Sequence, residues 1–276
     1  MDKIEKLKET ILRDFERLTL DDTFHFGCGP HVECFNRCCA DVNIFLTPYD
    51  VLRMRKALKL SSGDFLSRYT IIPFDENQTL PVPLMLMNDS DEKKCHFVDS
   101  EKGCTIYNDR PWPCRMYPLG LAAEADDDSR KGGRFYFLMT EDHCLGFKYG
   151  KKWSVREWMD DQGVDSFDEF GELFKQVTVH PRLAGGWKPT PKHIEMYWMA
   201  LYDLDKFRTF VNASSFLLRF ELSPEEISKI ETDDAELLKL GFKWIRMAFY
   251  GEKTLTINPE VIENLKQKSE AAKNNG

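Results

Sequence analysis

The sequence predicts an α+β protein: a small cysteine-rich metal-binding domain with short antiparallel strands, followed by a mainly helical region. Three observations carry this expectation. All eight cysteines of the 276-residue chain fall at or before Cys144. Between Thr70 and Thr140, short apolar runs are bounded by Pro, Gly and Asp, which is a strand pattern. From Trp153 onward, apolar residues recur at helical steps. The expected organisation is an amphipathic helix over residues 1–20, a cysteine-cluster domain over 21–150, and a helical region over 151–276 packed on it.

Taken in order, Ile4, Leu7, Ile11, Leu12, Phe15 and Leu18 alternate with Lys and Glu at three- and four-residue steps. That spacing predicts an amphipathic helix rather than the unbroken apolar core of an export signal. Residues 21–46 hold a dense cysteine cluster with Gly27, Gly29 and Pro30 and read as loop. Thr47–Pro48 is an N-cap with proline at the first helical position, opening a helix through Val51, Leu52, Met54 and Leu58. Ser62 and Asp64 start a second short helix through Phe65, Leu66 and Tyr69.

Strands of a small, mostly antiparallel sheet are expected at Ile71–Ile72, Val82–Met87, Leu119–Ala122 and Phe135–Met139. The acidic tract Asp126–Asp128, followed by Ser129 and Gly132–Gly133, reads as a solvated tip between two of them. It lacks the spaced ligands of a calcium loop. Thr190–Pro191 caps a helix running through Ile194, Tyr197, Trp198, Leu201 and Leu204. Ser223, Pro224 and Glu226 make a capping box. Leu237, Leu238, Gly241, Trp244, Ile245 and Ala248 form the apolar stripe of a late helix, and Lys266–Gly276 reads as a fraying polar end.

Composition narrows the function classes. A net charge of −8 without a Lys/Arg-rich run argues against a nucleic-acid partner. No stretch approaches the roughly 18 consecutive apolar residues of a membrane span. A cytoplasmic location is expected, where thiols stay reduced and clustered cysteines serve as metal ligands more readily than as disulfides. Nucleophile-elbow, P-loop, H-E-x-x-H and dinucleotide-binding patterns are missing, so a conventional hydrolase or a Rossmann-type cofactor site lacks its mark.

The cysteines are the chemistry. Cys28, Cys34, Cys38 and Cys39 are separated by five, three and no residues. Cys95, Cys104 and Cys114 are separated by eight and nine, and Cys144 follows after 29 more. Zinc ribbons bring ligands in by two-residue gaps, and none occurs here. Eight thiolates fill two four-coordinate sites, or one site with reactive thiols to spare. In extended backbone the side chains of Cys38 and Cys39 diverge, so the tandem pair is expected to split between roles. Arg37, Arg110 and Arg115 stand beside or near the cysteines and offer cations to an anionic centre. Pro111, Pro113 and Pro118 stiffen the backbone around Cys114. His25, His31, His96 and His143 neighbour cysteines and are secondary ligand candidates. His180 and His193 lie in the helical half and read as structural.

The stretch Phe26–Cys39 (FGCGPHVECFNRCC), with Leu46–Asp50 and Arg53, resembles the YkgJ-type cysteine-cluster family, a zinc- or iron-chelating domain. Cys95–Leu119 (CHFVDSEKGCTIYNDRPWPCRMYPL) resembles its second signature and His143–Gly146 its last. All eight family cysteines have counterparts, although gaps of five and three replace the family's two and two before the tandem pair. The resemblance implies metal chelation. The family's relation to flagellin lysine N-methylases, which carry an iron–sulfur cluster, implies one enzymatic role. Three functions are therefore expected: a metal-binding protein holding a 4Fe–4S cluster first and zinc second, a protein-lysine N-methylase-like enzyme, and an interaction module with structural zinc. In the last, a protein partner or substrate engages the helical half.

Overall fold

The computed structural model describes residues 15–73, 79–123, 133–261 and 263. Most of the expected N-terminal helix, the acidic tip and the polar C-terminal end lie outside the described residues. Contacts divide the chain into two compact units, one of residues up to Ile44 with Leu86–Asp168, the other of Phe45–Met85 with residues from Glu169 onward.

All eight cysteines belong to the first unit. Strand β1 (Thr23–Phe26) alternates exposed and buried side chains and pairs antiparallel with β8 (Lys151–Ser154). This pairing draws residues 151–168 into the cysteine unit, although composition assigns them to the helical region. Its core joins Leu18, Phe24, Phe26, Met116, Leu119, Val155, Trp158 and Val164. Phe26 meets the Trp158 ring edge-on at 5.4 Å. The two indole donors are also spent on this unit's backbone, Trp153 Nε1 to Phe26 O at 3.0 Å and Trp158 Nε1 to Met116 O at 3.2 Å. A buried indole that kept its N–H unpaired would cost about 1–3 kcal/mol. The longest hairpin pairs β6 (Leu119–Ala123) with β7 (Arg134–Leu138). A short one pairs β4 (Val98–Asp99) with β5 (Gly103–Cys104).

The second unit is largely helical. Helix α1 (Pro48–Ala57) opens with the capping box that Thr47 and Asp50 foretell. It belongs here because Tyr49 stacks on Phe170 at 4.2 Å and buried Arg55 pairs with Asp234 at 2.6 Å. Neither partner is visible from local sequence, which is why residues 45–85 read as part of the cysteine domain. Helix α2 (Ser62–Tyr69) is capped by Ser61, one residue earlier than expected. Later helices begin at the caps the sequence marks, α7 (Pro191–Leu201) at Thr190 and α9 (Pro224–Thr232) at Ser223. Helix α7 stops before Leu204, because Asp203 caps the next helix, α8 (Leu204–Ala213). On the long helix α10 (Asp234–Tyr250), a Cβ at Gly241 would stand 2.4 Å from Ala200 O, so only glycine lets α10 approach α7 this closely.

The strands are antiparallel as expected, but among the described residues they form four separate pairs rather than one sheet. Three of the four strand pairings span four residues or fewer, and β2 (Thr70–Ile71) with β3 (Leu84–Met85) belongs to the helical unit. Strands two residues long carry too little alternation to reveal a common sheet from sequence.

Candidate metal centre

Backbone hydrogen bonds, not only sequence proximity, gather the cysteines. Gly27 N donates to Gly146 O at 3.1 Å, which brings the end of β1 beside the segment after Cys144. A Cβ on Gly150 would stand 2.3 Å from Phe26 O, and φ there is +86°, so the same seam requires glycine. Leu145 N donates to Cys34 Sγ at 3.1 Å. These contacts place Cys28, Cys34 and Cys144 together.

A second set of bonds gathers the others. Cys95 N donates to Cys39 O at 2.8 Å, and Ala40 bridges Lys94. Val98 N donates to Cys95 O at 3.2 Å, and Val98 pairs with Cys104 across the hairpin. The hairpin turn is closed by the Asp99 carboxylate, which accepts from Glu101 N at 2.9 Å and Lys102 N at 2.8 Å. Asn36, in the left-handed region at φ 69°, donates through Nδ2 to Asp99 O at 3.0 Å and ties the tandem cysteines to the hairpin.

The electrostatics trace the same two groups. The Cys28 thiol is pushed up to about 11, first by loss of solvent and then by the charges of Cys38, Cys34 and Cys144. Cys39 is pushed up by its hydrogen bond to Cys38, by burial, and by the charges of Cys38, Cys114 and Cys95. Cys38 is lowered to about 7, chiefly because the Cys39 thiol donates to it. Cys95 is raised by burial and by Cys104. The tandem pair stands on a 3-10 turn (Arg37–Cys39) rather than on extended backbone. The two thiols are hydrogen-bonded to each other; beyond that bond, Cys38 acts on Cys28 beside Cys34 and Cys144, while Cys114 and Cys95 act on Cys39.

Charged neighbours differ between the groups. Arg110 and Arg115 are buried, and both charges act on Cys104 to oppose the rise that burial causes there. Their N–H groups go to oxygens: Arg115 donates to Arg110 O at 3.0 Å, to Gln162 O at 2.6 Å and to Asn108 O, and Arg110 donates to Tyr107 O and Gln162 Oε1. Rings flank both guanidiniums, Tyr107 at 3.6 Å from Arg110 and Phe167 at 4.2 Å from Arg115. Arg37 opens the 3-10 turn of the tandem pair and is exposed. On the other side, Glu141 adds negative charge beside Cys38. The Glu141 carboxylate accepts from Tyr117 OH at 3.3 Å. The Tyr117 hydroxyl is pushed far up by burial, by its bond to Cys144 and by the charges of Cys144, Glu141 and Cys38.

Of the histidines, His143 pairs with Glu141 at 3.3 Å. His180 Nδ1 caps helix α6 (Pro181–Ala184) by accepting from Arg182 N at 3.1 Å, and His193 Nδ1 accepts from Thr190 N at 3.0 Å, both in the helical unit. Sequence reasoning missed Glu141, Tyr117, Gln162 and the Leu145 N–H. Tyr117 lies inside the Cys95–Leu119 signature, just before Pro118, and Glu141 two residues before His143, so both stand beside marked residues. Gln162 carried no signal, because helix α4 (Val155–Gln162) brings it in by tertiary packing.

Among the described residues, no three His, Cys, Asp or Glu side chains are already set around a single metal position. The donor chemistry nevertheless fits thiophilic metal: soft thiols in two groups, an N–H aimed at one sulfur, and two buried guanidiniums beside the other group. Clustered thiols so arranged define a cysteine-cluster metal-chelating domain. Residues 28–144 match the CxxCxxCC family model, described as a "putative zinc- or iron-chelating domain". The match runs from the first cysteine to the last and fits the YkgJ-type resemblance. No curated protein and no solved structure matches the chain.

Proposed function

We propose that the domain holds two metal centres, one on Cys28, Cys34, Cys38 and Cys144 and the other on Cys39, Cys95, Cys104 and Cys114. The observation that supports this reading is the division of the tandem pair. Beyond their mutual hydrogen bond, Cys38 acts on Cys28 of the first group and Cys39 is acted on by Cys114 and Cys95 of the second, which on this reading gives each group four thiols. Metal binding here requires the thiols to lose protons and settle around the ion, which couples binding to local ordering.

Iron–sulfur clusters are the first reading of the metal, because the two-residue gaps of zinc sites are absent from the sequence. Tetrathiolate zinc is the second, since each group also satisfies zinc's ligand count. When bound, a cluster would supply electron transfer or a structural anchor, and zinc a structural anchor. In either case the chain's residues hold the metal, and Arg110 and Arg115 offset its negative charge. Anaerobic purification followed by absorption spectroscopy and iron, sulfide and zinc analysis tests this. A brown protein with iron and sulfide in equal amount supports the first metal, and a colourless zinc protein the second. A chain that takes up neither metal sinks the proposal.

A further inference from the structure

The helical unit carries a cleft of about 480 Å³ that no cysteine lines. Helix α7 contributes Ile194 with Trp198, and Glu195 with Met199; each pair is four residues apart, so the four side chains share one strip of the helix. Ile72, which follows β2, and Pro81, which precedes β3, complete the apolar lining. Trp198 stacks on buried Tyr202 at 4.9 Å, and the Tyr202 hydroxyl donates to Leu46 O at 3.1 Å, which holds the indole in place. The rest of the lining is charged. Asp203 is only 3% exposed, and its carboxylate is held by Lys206, through Nζ at 2.7 Å and through the backbone N–H at 3.4 Å. The Lys206 side chain itself is 75% exposed, so its ammonium reaches the buried carboxylate from solvent. Glu195 is exposed and, among the described residues, has no ion-pair partner. Two carboxylates against one ammonium leave the cleft an unmatched negative charge.

We propose that this cleft binds an arginine side chain of a partner polypeptide. Nothing in it depends on the thiols or on their metal. Apolar walls match the methylene stem of a long basic side chain, and a buried carboxylate matches its cation. A guanidinium fits better than an ammonium for two reasons. It is more weakly hydrated, so entering an apolar cleft costs less, and it stacks on aromatic faces such as that of Trp198. Its planar fork also takes a carboxylate by two parallel bonds, whereas the Lys206 ammonium gives Asp203 one. The incoming arginine therefore displaces Lys206, whose ammonium turns to solvent, and Glu195 supplies the charge that draws the cation in. A polypeptide is favoured over a free guanidinium compound by the surface beside the cleft. Ile71 and Ile72 are 47% and 50% exposed and give apolar contacts to residues flanking the arginine.

The full chain, purified without oxygen, is titrated with the blocked tripeptide acetyl-Val-Arg-Val-amide in a calorimeter. Binding of one peptide per chain is expected. Citrulline in place of arginine keeps the shape but not the charge and should weaken binding about tenfold or more, and lysine in its place should weaken it several-fold. Asp203→Asn, which keeps a capping side chain for α8, should also weaken binding about tenfold. Glu195→Gln should weaken it by about threefold at most, because that carboxylate is exposed. Lys206→Met removes the competing ammonium and should tighten binding, an outcome that a merely structural role for the Asp203–Lys206 pair does not produce. The peptide series uses the unaltered protein, so it decides the matter even if a variant fails to fold. No binding to the wild type, equal affinity for the arginine, citrulline and lysine peptides, or a Lys206→Met variant that binds no tighter overturns the arginine site. Acetyl-arginine amide binding as tightly as the tripeptide overturns the polypeptide as its occupant.

Discussion

Replacing Arg115 with alanine removes the side chain that braces the ligand-bearing segment from Asn108 to Cys114. Its guanidinium donates to three carbonyl oxygens, of Arg110, Gln162 and Asn108, and lies over the Phe167 ring. Hydrogen bonds from a charged donor contribute about 1.5–3 kcal/mol each. Taking the low value for three, because water can enter the vacated space, gives about 4.5 kcal/mol. The ring contact adds roughly 0.5 kcal/mol, so the expected loss is about 5 kcal/mol, comparable with the lower end of whole-domain stability. Arg115→Lys keeps the charge but not the planar fork, and should lose an intermediate amount. Urea unfolding of the anaerobically purified chain, followed by tryptophan fluorescence, measures this. Metal analysis of the same samples should show loss from the Cys39 group first, because Cys104 and Cys114 flank the brace. A midpoint shift worth under about 1 kcal/mol, with metal content intact, would refute the bracing role.

Three further outcomes follow from the same geometry. Gly150→Ala should cost roughly 2–5 kcal/mol, from about 1–2 for a left-handed residue and about 1–3 for overpacking against Phe26 O, and should deplete the Cys28 group alone; metal per chain and a denaturation curve read both. Asp234→Ala leaves buried Arg55, among the described residues, with Asp205 at 3.8 Å as its ion-pair partner, and should cost about 3–5 kcal/mol. Burial would raise the Asp234 carboxyl, but the Arg208 hydrogen bond and the Arg55 charge hold it below its usual value. The stability it contributes is therefore present above about pH 4 and lost as pH falls through the lowered value, so Asp234→Asn should flatten the acid limb of a pH–stability profile. Chelation under reducing conditions should lower hydrogen-exchange protection in residues 21–46, and unchanged protection there would show that metal and local order are not coupled.

What the sequence made legible was local. Thr47, Thr190 and Ser223 cap helices because a capping side chain bonds backbone three residues away. The cysteines announce a metal domain because thiols are few and clustered. What stayed hidden was non-local. The pairing of β1 with β8 moved residues 151–168 to the cysteine unit, and the Arg55–Asp234 pair moved residues 45–85 away from it. The alternation of Phe24 and Phe26 in β1 was present in the sequence, but the adjoining glycines and cysteines masked it as loop. The tandem pair was expected on extended backbone, whereas it stands on a 3-10 turn held by Asn36 and the Cys95–Cys39 bond.

The account's central claim is that Cys38 and Cys39 serve different centres, and metal per chain in the two serine variants tests it most directly. Each of Cys38→Ser and Cys39→Ser, purified without oxygen, should retain about half of the wild-type metal. The residual centre should differ between the two variants, the first group's in Cys39→Ser and the second group's in Cys38→Ser. Loss of all metal from both variants, or the same residual centre in each, would contradict the claim and place the tandem pair on one shared site.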